Sequence, residues 1–173
     1  MCFSAEASFV AGTGLTIFGV HLLKSVHSKK EQYFKAIPLL FGLQQLCEGF
    51  VWVTQTNPEL ALYNSLARYS FLFFAFFVWP TWVPYSMLQL ETNEGRKRCL
   101  SSLLGTGIVI STTLAWASLA LGVTSLISCN HIEYLLDIPQ AVGIPGIIWY
   151  AIATIIPFFV IKRKLMKELG LLL

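Results

Sequence analysis

Phe71-Leu72-Phe73-Phe74-Ala75-Phe76-Phe77-Val78-Trp79-Pro80-Thr81-Trp82-Val83-Pro84-Tyr85 sits inside a run, Tyr69 to Leu90, that holds no charged residue. A stretch of about 20 apolar residues crosses roughly 30 Å of hydrocarbon as an α-helix rising about 1.5 Å per residue. The apolar residues follow one another without a period of two, and a backbone in lipid must satisfy its own hydrogen bonds. The run therefore reads as a transmembrane helix and not as a barrel strand. Pro80 and Pro84 withhold two N–H groups and predict a bend in its centre and inner half. That bend is either a kink in a packing helix with an aromatic face, or an opening where freed carbonyls meet a ligand.

Working outward, four further apolar runs cover about residues 3–23, 36–54, 100–127 and 142–161. The last carries breakers at Gly143, Pro145, Gly146 and Pro157. The fold class is an all-α integral membrane protein with about five transmembrane helices in one domain, residues 1–173. Composition agrees, since 55% of residues are hydrophobic and 12% charged, against about 25% charged in an ordinary soluble domain. Such a chain has more apolar surface than one core can hide, so its partner is the lipid bilayer. The net charge of +3 comes from basic residues scattered in short loops, which excludes nucleic acid as a partner. No internal repeat or heptad is present, so the usual inverted-repeat sign of a secondary transporter is missing.

Sidedness follows from Lys and Arg in the connections. Lys24, Lys29, Lys30 and Lys35 lie between spans one and two, and Arg96, Lys97 and Arg98 between three and four. Lys162, Arg163, Lys164 and Lys167 follow span five. Arg68 is left in the second connection, at the edge of the third helix, and the fourth connection holds Glu133 and Asp137. The expected topology has the N-terminus outside and the C-terminus cytoplasmic, in a bacterial inner membrane. No basic start or cleavage site marks the first run as a removable signal, and Met1-Cys2 lacks the hydrophobic segment that a lipoprotein cysteine requires.

Ionisable groups inside a bilayer cost about 2.5 to 3.5 kcal/mol on insertion scales and are functional candidates for that reason. Glu48 leads, in Gly42-Leu43-Gln44-Gln45-Leu46-Cys47-Glu48-Gly49 of the second span's outer half. Gln44 and Glu48 are four apart on one helix face, Gln45 lies beside them, and Gly42 and Gly49 admit a neighbouring helix. The group is read as a site with Glu48 catalytic and Gln44 and Gln45 binding ligand, or as polar glue between helices with Glu48 protonated. Trp52, near the outer end of the same span, fits an interfacial belt and a ligand-binding position. Glu6 is a second acid that can simply complement the first helix's dipole. His21 and His27 fall on the inner side as interface or loop residues.

The four cysteines follow no CxxC or zinc-ribbon spacing. Cys47 is intramembrane and Cys99 lies beside the inner basic cluster. The expected topology places Cys2, Cys129 and His131 on the outer side. Cys2 and Cys129 could form a disulfide there, or thiolates could join Glu48 and His131 around a metal. The candidate metal set is Cys2, Glu48 and His131, and zinc or copper would suit those donors. Loss of Met1 would free an amine beside the Cys2 thiol.

Met1-Cys2-Phe3-Ser4-Ala5 with Ala7-Ser8-Phe9, Gln44-Gln45 with Glu48-Gly49 and Trp52, Trp79-Pro80 with Pro84, and His131-Ile132 with Tyr134 span most of the chain. In these it resembles an uncharacterised family of prokaryotic multi-pass membrane proteins. The resemblance implies the fold and assigns no activity. It also implies a longer chain, with Leu169-Gly170-Leu171-Leu172-Leu173 beginning a further span. Glu6 departs from the small or hydroxyl residue expected at its position, which weakens a catalytic role for it.

Three functions follow from these residues. The first is a ligand or metal site in the outer half of the bilayer centred on Glu48, with metal-assisted hydrolysis or redox chemistry as its reaction class. The second is proton or cation transport through Glu48, in which the proline-broken spans move and five helices require a homo-oligomer. The third is a structural subunit whose polar residues serve assembly.

Overall fold

In the computed structural model, residues 4–26, 28–128, 131–136 and 140–161 are described. Helix α1 (Ala5–Lys24) starts at Ser4, whose hydroxyl accepts the Ala7 N–H at 3.2 Å. Short α2 (Lys29–Lys35) leads into α3 (Ile37–Gln55), and a 3-10 turn (Pro58–Leu60) opens α4 (Ala61–Phe73). Next come a π-helical turn (Phe74–Val78), α5 (Trp79–Leu90) and α6 (Glu94–Ala120). An antiparallel hairpin of β1 (Thr124–Ser128) and β2 (His131–Leu135) precedes α7 (Gln140–Val160). Five of the resulting helical stretches are long and apolar enough to cross a membrane.

The sequence expectation departs from this in three places. The chain is mostly helical but not all-α, because residues 121–127, expected in the fourth span, leave the helix. Gly122 takes a φ of +74°, which an L side chain rarely adopts, and Thr124 then pairs with Leu135 in the hairpin. The third span begins at Pro58 and not at 69, so Arg68 lies within α4 and not in a connection. The second span reaches back to Lys29.

The proline-bearing helix is bent through its π turn. Trp79 N–H bonds the Phe74 carbonyl, and residue 80 has no N–H, so the Ala75 carbonyl is left without a backbone partner. The Tyr150 hydroxyl of α7 fills that vacancy at 2.7 Å. Pro84 likewise withholds an N–H from the Pro80 carbonyl, and Gly107 of α6 packs directly on that oxygen, where any Cβ would collide with it. Helices α1 and α3 cross as closely: a Cβ on Gly12 would come within 2.9 Å of the Leu46 backbone nitrogen, and one on Gly19 would strike Leu39.

These contacts give the bundle two ends. At the basic end, Lys35 Nζ donates to the Ser25 carbonyl at 3.0 Å, and Arg96 grips Glu91 through Nε and Nη2 at 2.6 and 2.9 Å. At the other end the hairpin folds against α3 and α4. Gln55 Nε2 donates to the Ser125 carbonyl at 2.7 Å, and Ser125 Oγ donates back to Gln55 Oε1 at 2.6 Å.

Candidate functional site

The second span's polar face is closed in from several sides. Gln44 and Gln45 are buried, and Glu48, about two turns from the hairpin end of α3, is 1% exposed. Gln45 Nε2 donates to Glu48 Oε2 at 3.1 Å. Gln44 Oε1 accepts Trp79 Nε1 at 2.7 Å, a contact that the π turn makes by aiming Trp79 at α3. Trp52, one turn beyond Glu48 on the same face, has a buried Nε1 with no hydrogen-bond partner among the described residues.

The hairpin supplies the roof. On β2, Ile132 and Tyr134 face one way and His131, Glu133 and Leu135 the other. Tyr134 stacks on Phe71, with ring centroids 4.8 Å apart, and packs near Cys47. Burial drives its hydroxyl well above the ordinary tyrosine range, and the Glu48 charge adds to that while the Arg68 charge opposes it. The Tyr134 hydroxyl is thus within electrostatic reach of Glu48, and it has no hydrogen-bond partner among the described residues. The fully buried Ser8 hydroxyl, one turn from Gly12 on the face of α1 that packs on α3, also has no hydrogen-bond partner among the described residues. Buried polar groups without partners usually cost about 1 to 3 kcal/mol each and signal a place that something else completes.

Sequence reasoning missed a network above this site. Asn64 Nδ2 donates to Thr54 Oγ1 and to Gln55 Oε1, both at 3.1 Å. Arg68 reaches Ser65 Oγ at 3.0 Å and Ser125 Oγ at 3.4 Å. Asn64 and Arg68 are four apart, so helical spacing could have signalled the polar face of α4, whereas Thr54 and Gln55 are adjacent on α3. Their pairing depends on the hairpin.

The candidate metal set is not assembled among the described residues. His131 Nε2 lies 3.1 Å from Glu133 Oε1, on the face of β2 opposite Tyr134. Cys2 lies outside the described residues, as do Cys129 and His27. Among the described residues, no three of His, Cys, Asp and Glu come close enough together to hold a metal ion. Cys47 and Cys99 are free thiols. Glu6 is exposed in the first turn of α1, and His21 is exposed in its last. Residues 1–173 match a family of unknown function (DUF6629). No curated protein and no solved structure matches the chain.

Proposed function

Since the chain belongs to that family of unknown function, its role has to be read from its own residues, and we propose that it is a multi-pass membrane protein binding a small polar ligand on Glu48. The observation that carries this is a carboxyl group 1% exposed and held by the Gln45 amide, together with unpartnered buried donors on Trp52, four residues further along α3, and on Tyr134 of the hairpin. A ligand with a cationic or donor group toward Glu48 would, through acceptor oxygens, satisfy the donors of Trp52 and Tyr134. Gln44, fixed by Trp79, and Gln45 orient the carboxyl, and Glu48 serves as the proton-holding or cation-binding group. The distribution of basic residues supports a topology with the N-terminus and the hairpin outside and the C-terminus inside, which would put the site in the outer half of a bacterial inner membrane.

The test uses dicyclohexylcarbodiimide, an apolar reagent that modifies protonated carboxyl groups from within lipid. Purified protein in liposomes is expected to be labelled at Glu48, located by mass spectrometry, with the label absent in Glu48→Gln. An unlabelled Glu48 in folded protein would overturn the reading. Zinc and copper content is measured on the same samples. Stoichiometric metal lost in Glu48→Gln, His131→Ala and Cys2→Ser would replace the polar-ligand site with a metal centre.

A further inference from the structure

A cleft of about 1100 Å³ runs between α6 and α7 beneath the hairpin. Gly105, Gly143 and Gly146 line it, and a Cβ added at any of them would meet nothing within 4 Å. Gly12, Gly19 and Gly107 serve close helix contact; these three leave room. Trp116 and Trp149 flank the cleft, and both are largely exposed on membrane-crossing helices. An apolar cleft offers water few partners, and one that opens toward a bilayer fills with hydrocarbon.

The cleft continues into a second pocket of about 700 Å³, sharing Leu121, Tyr134 and Leu136 with it. Arg68 lines this second pocket. Its guanidinium has more N–H donors than two serine hydroxyls take up, its Nε is buried with no hydrogen-bond partner, and it pairs with no carboxylate among the described residues. A cation at the mouth of an apolar cleft matches an amphipathic anion. We infer that the cleft and its Arg68 pocket bind one anionic phospholipid, with an acyl chain between α6 and α7 and the phosphate on Arg68. The forked guanidinium suits a phosphate, which it can meet with two parallel hydrogen bonds. This goes beyond the reading of Glu48 and does not require it.

The experiment places the full-length protein in phosphatidylcholine vesicles containing a minority of brominated phosphatidylglycerol or, separately, brominated phosphatidylcholine. Bromine quenches nearby indoles, and the contribution of Trp116 and Trp149 is read against a variant with both changed to Phe. Brominated phosphatidylglycerol is expected to quench these two beyond its mole fraction. Arg68→Gln should lower the preference for the anionic lipid about fivefold, the factor that one basic side chain near a lipid surface contributes. Gly146→Leu, which fills open space and should fold, is expected to abolish the excess quenching while Arg68 is intact. Equal quenching by both lipids in the wild type, or a preference surviving both substitutions, would overturn the inference. Loss of the preference on adding inorganic phosphate alone would also overturn it, by assigning Arg68 to a soluble anion. Circular dichroism of each variant confirms that the bundle is intact.

Discussion

Tyr150 donates its hydroxyl to the carbonyl of Ala75 at 2.7 Å, replacing the N–H that Pro80 lacks. The bond joins α7 to the π turn, and the acceptor has no backbone alternative. Tyr150→Phe is expected to cost about 1 to 3 kcal/mol, the range for stranding a buried acceptor. Pro80→Ala supplies an N–H, so in that background the same substitution should cost distinctly less. Reversible unfolding in mixed micelles of the wild type, both single variants and the double variant gives the coupling energy.

Glu48→Gln keeps the shape of the side chain and much of its hydrogen bonding. It should leave stability within about 0.5 kcal/mol of wild type while removing carbodiimide labelling. Glu48→Ala strands the Gln45 amide and opens a cavity, and should cost about 2 to 4 kcal/mol. Thermal melts in detergent separate the two.

Gly107 and Gly105 make a matched pair on α6. A methyl group at Gly107 collides with the Pro80 carbonyl, whereas one at Gly105 meets open space. Gly107→Ala is expected to destabilise by about 1 to 3 kcal/mol, and Gly105→Ala to be neutral or to stabilise by up to about 1 kcal/mol through helix propensity. Equal effects in the melts would contradict this packing.

At the basic end, chiefly the Arg96 guanidinium, together with the Asn93 and Thr92 N–H groups, holds the Glu91 carboxyl well below the usual 4.5, at about 2. A depressed carboxylate stabilises the fold above its unfolded pKa. That contribution is lost as pH falls through the window between the two values. Glu91→Gln should lower stability near neutral pH and flatten the loss between about pH 5 and pH 2. Denaturation across that range, compared with wild type, reads the difference.

The five long apolar helices were legible because an unbroken apolar run of about 20 residues has few alternatives to a helix, and the run from Tyr69 to Leu90 is the plainest case. The end of the fourth span was not. Leu121, Val123, Leu126 and Ile127 are as apolar as the helix before them, and only the backbone of Gly122 and the pairing of Ser125 with Gln55 separate strand from span. The third long helix begins before its apolar run does, because Asn64 and Arg68 lower the hydropathy of its first turns, and what they satisfy lies on α3 and the hairpin. Of the site, the spacing of Gln44, Gln45 and Glu48 was visible on one helix. Trp79 and Tyr134 reach it from distant segments that no local pattern connects.

The π turn also sets an azimuth. A residue added to or removed from a helix rotates everything beyond it by roughly 100° about the axis. Trp79 meets Gln44 and Pro80 meets Gly107 because the wide turn at Phe74–Val78 has already made that rotation. Deleting one residue there would restore regular winding and an unbroken apolar span. The same deletion would swing Trp79 away from the carboxamide it fixes and present a different side of α5 to α6. The length of this helix thus follows from its apolar run, while its phase follows from the partners that Trp79 and Pro80 meet.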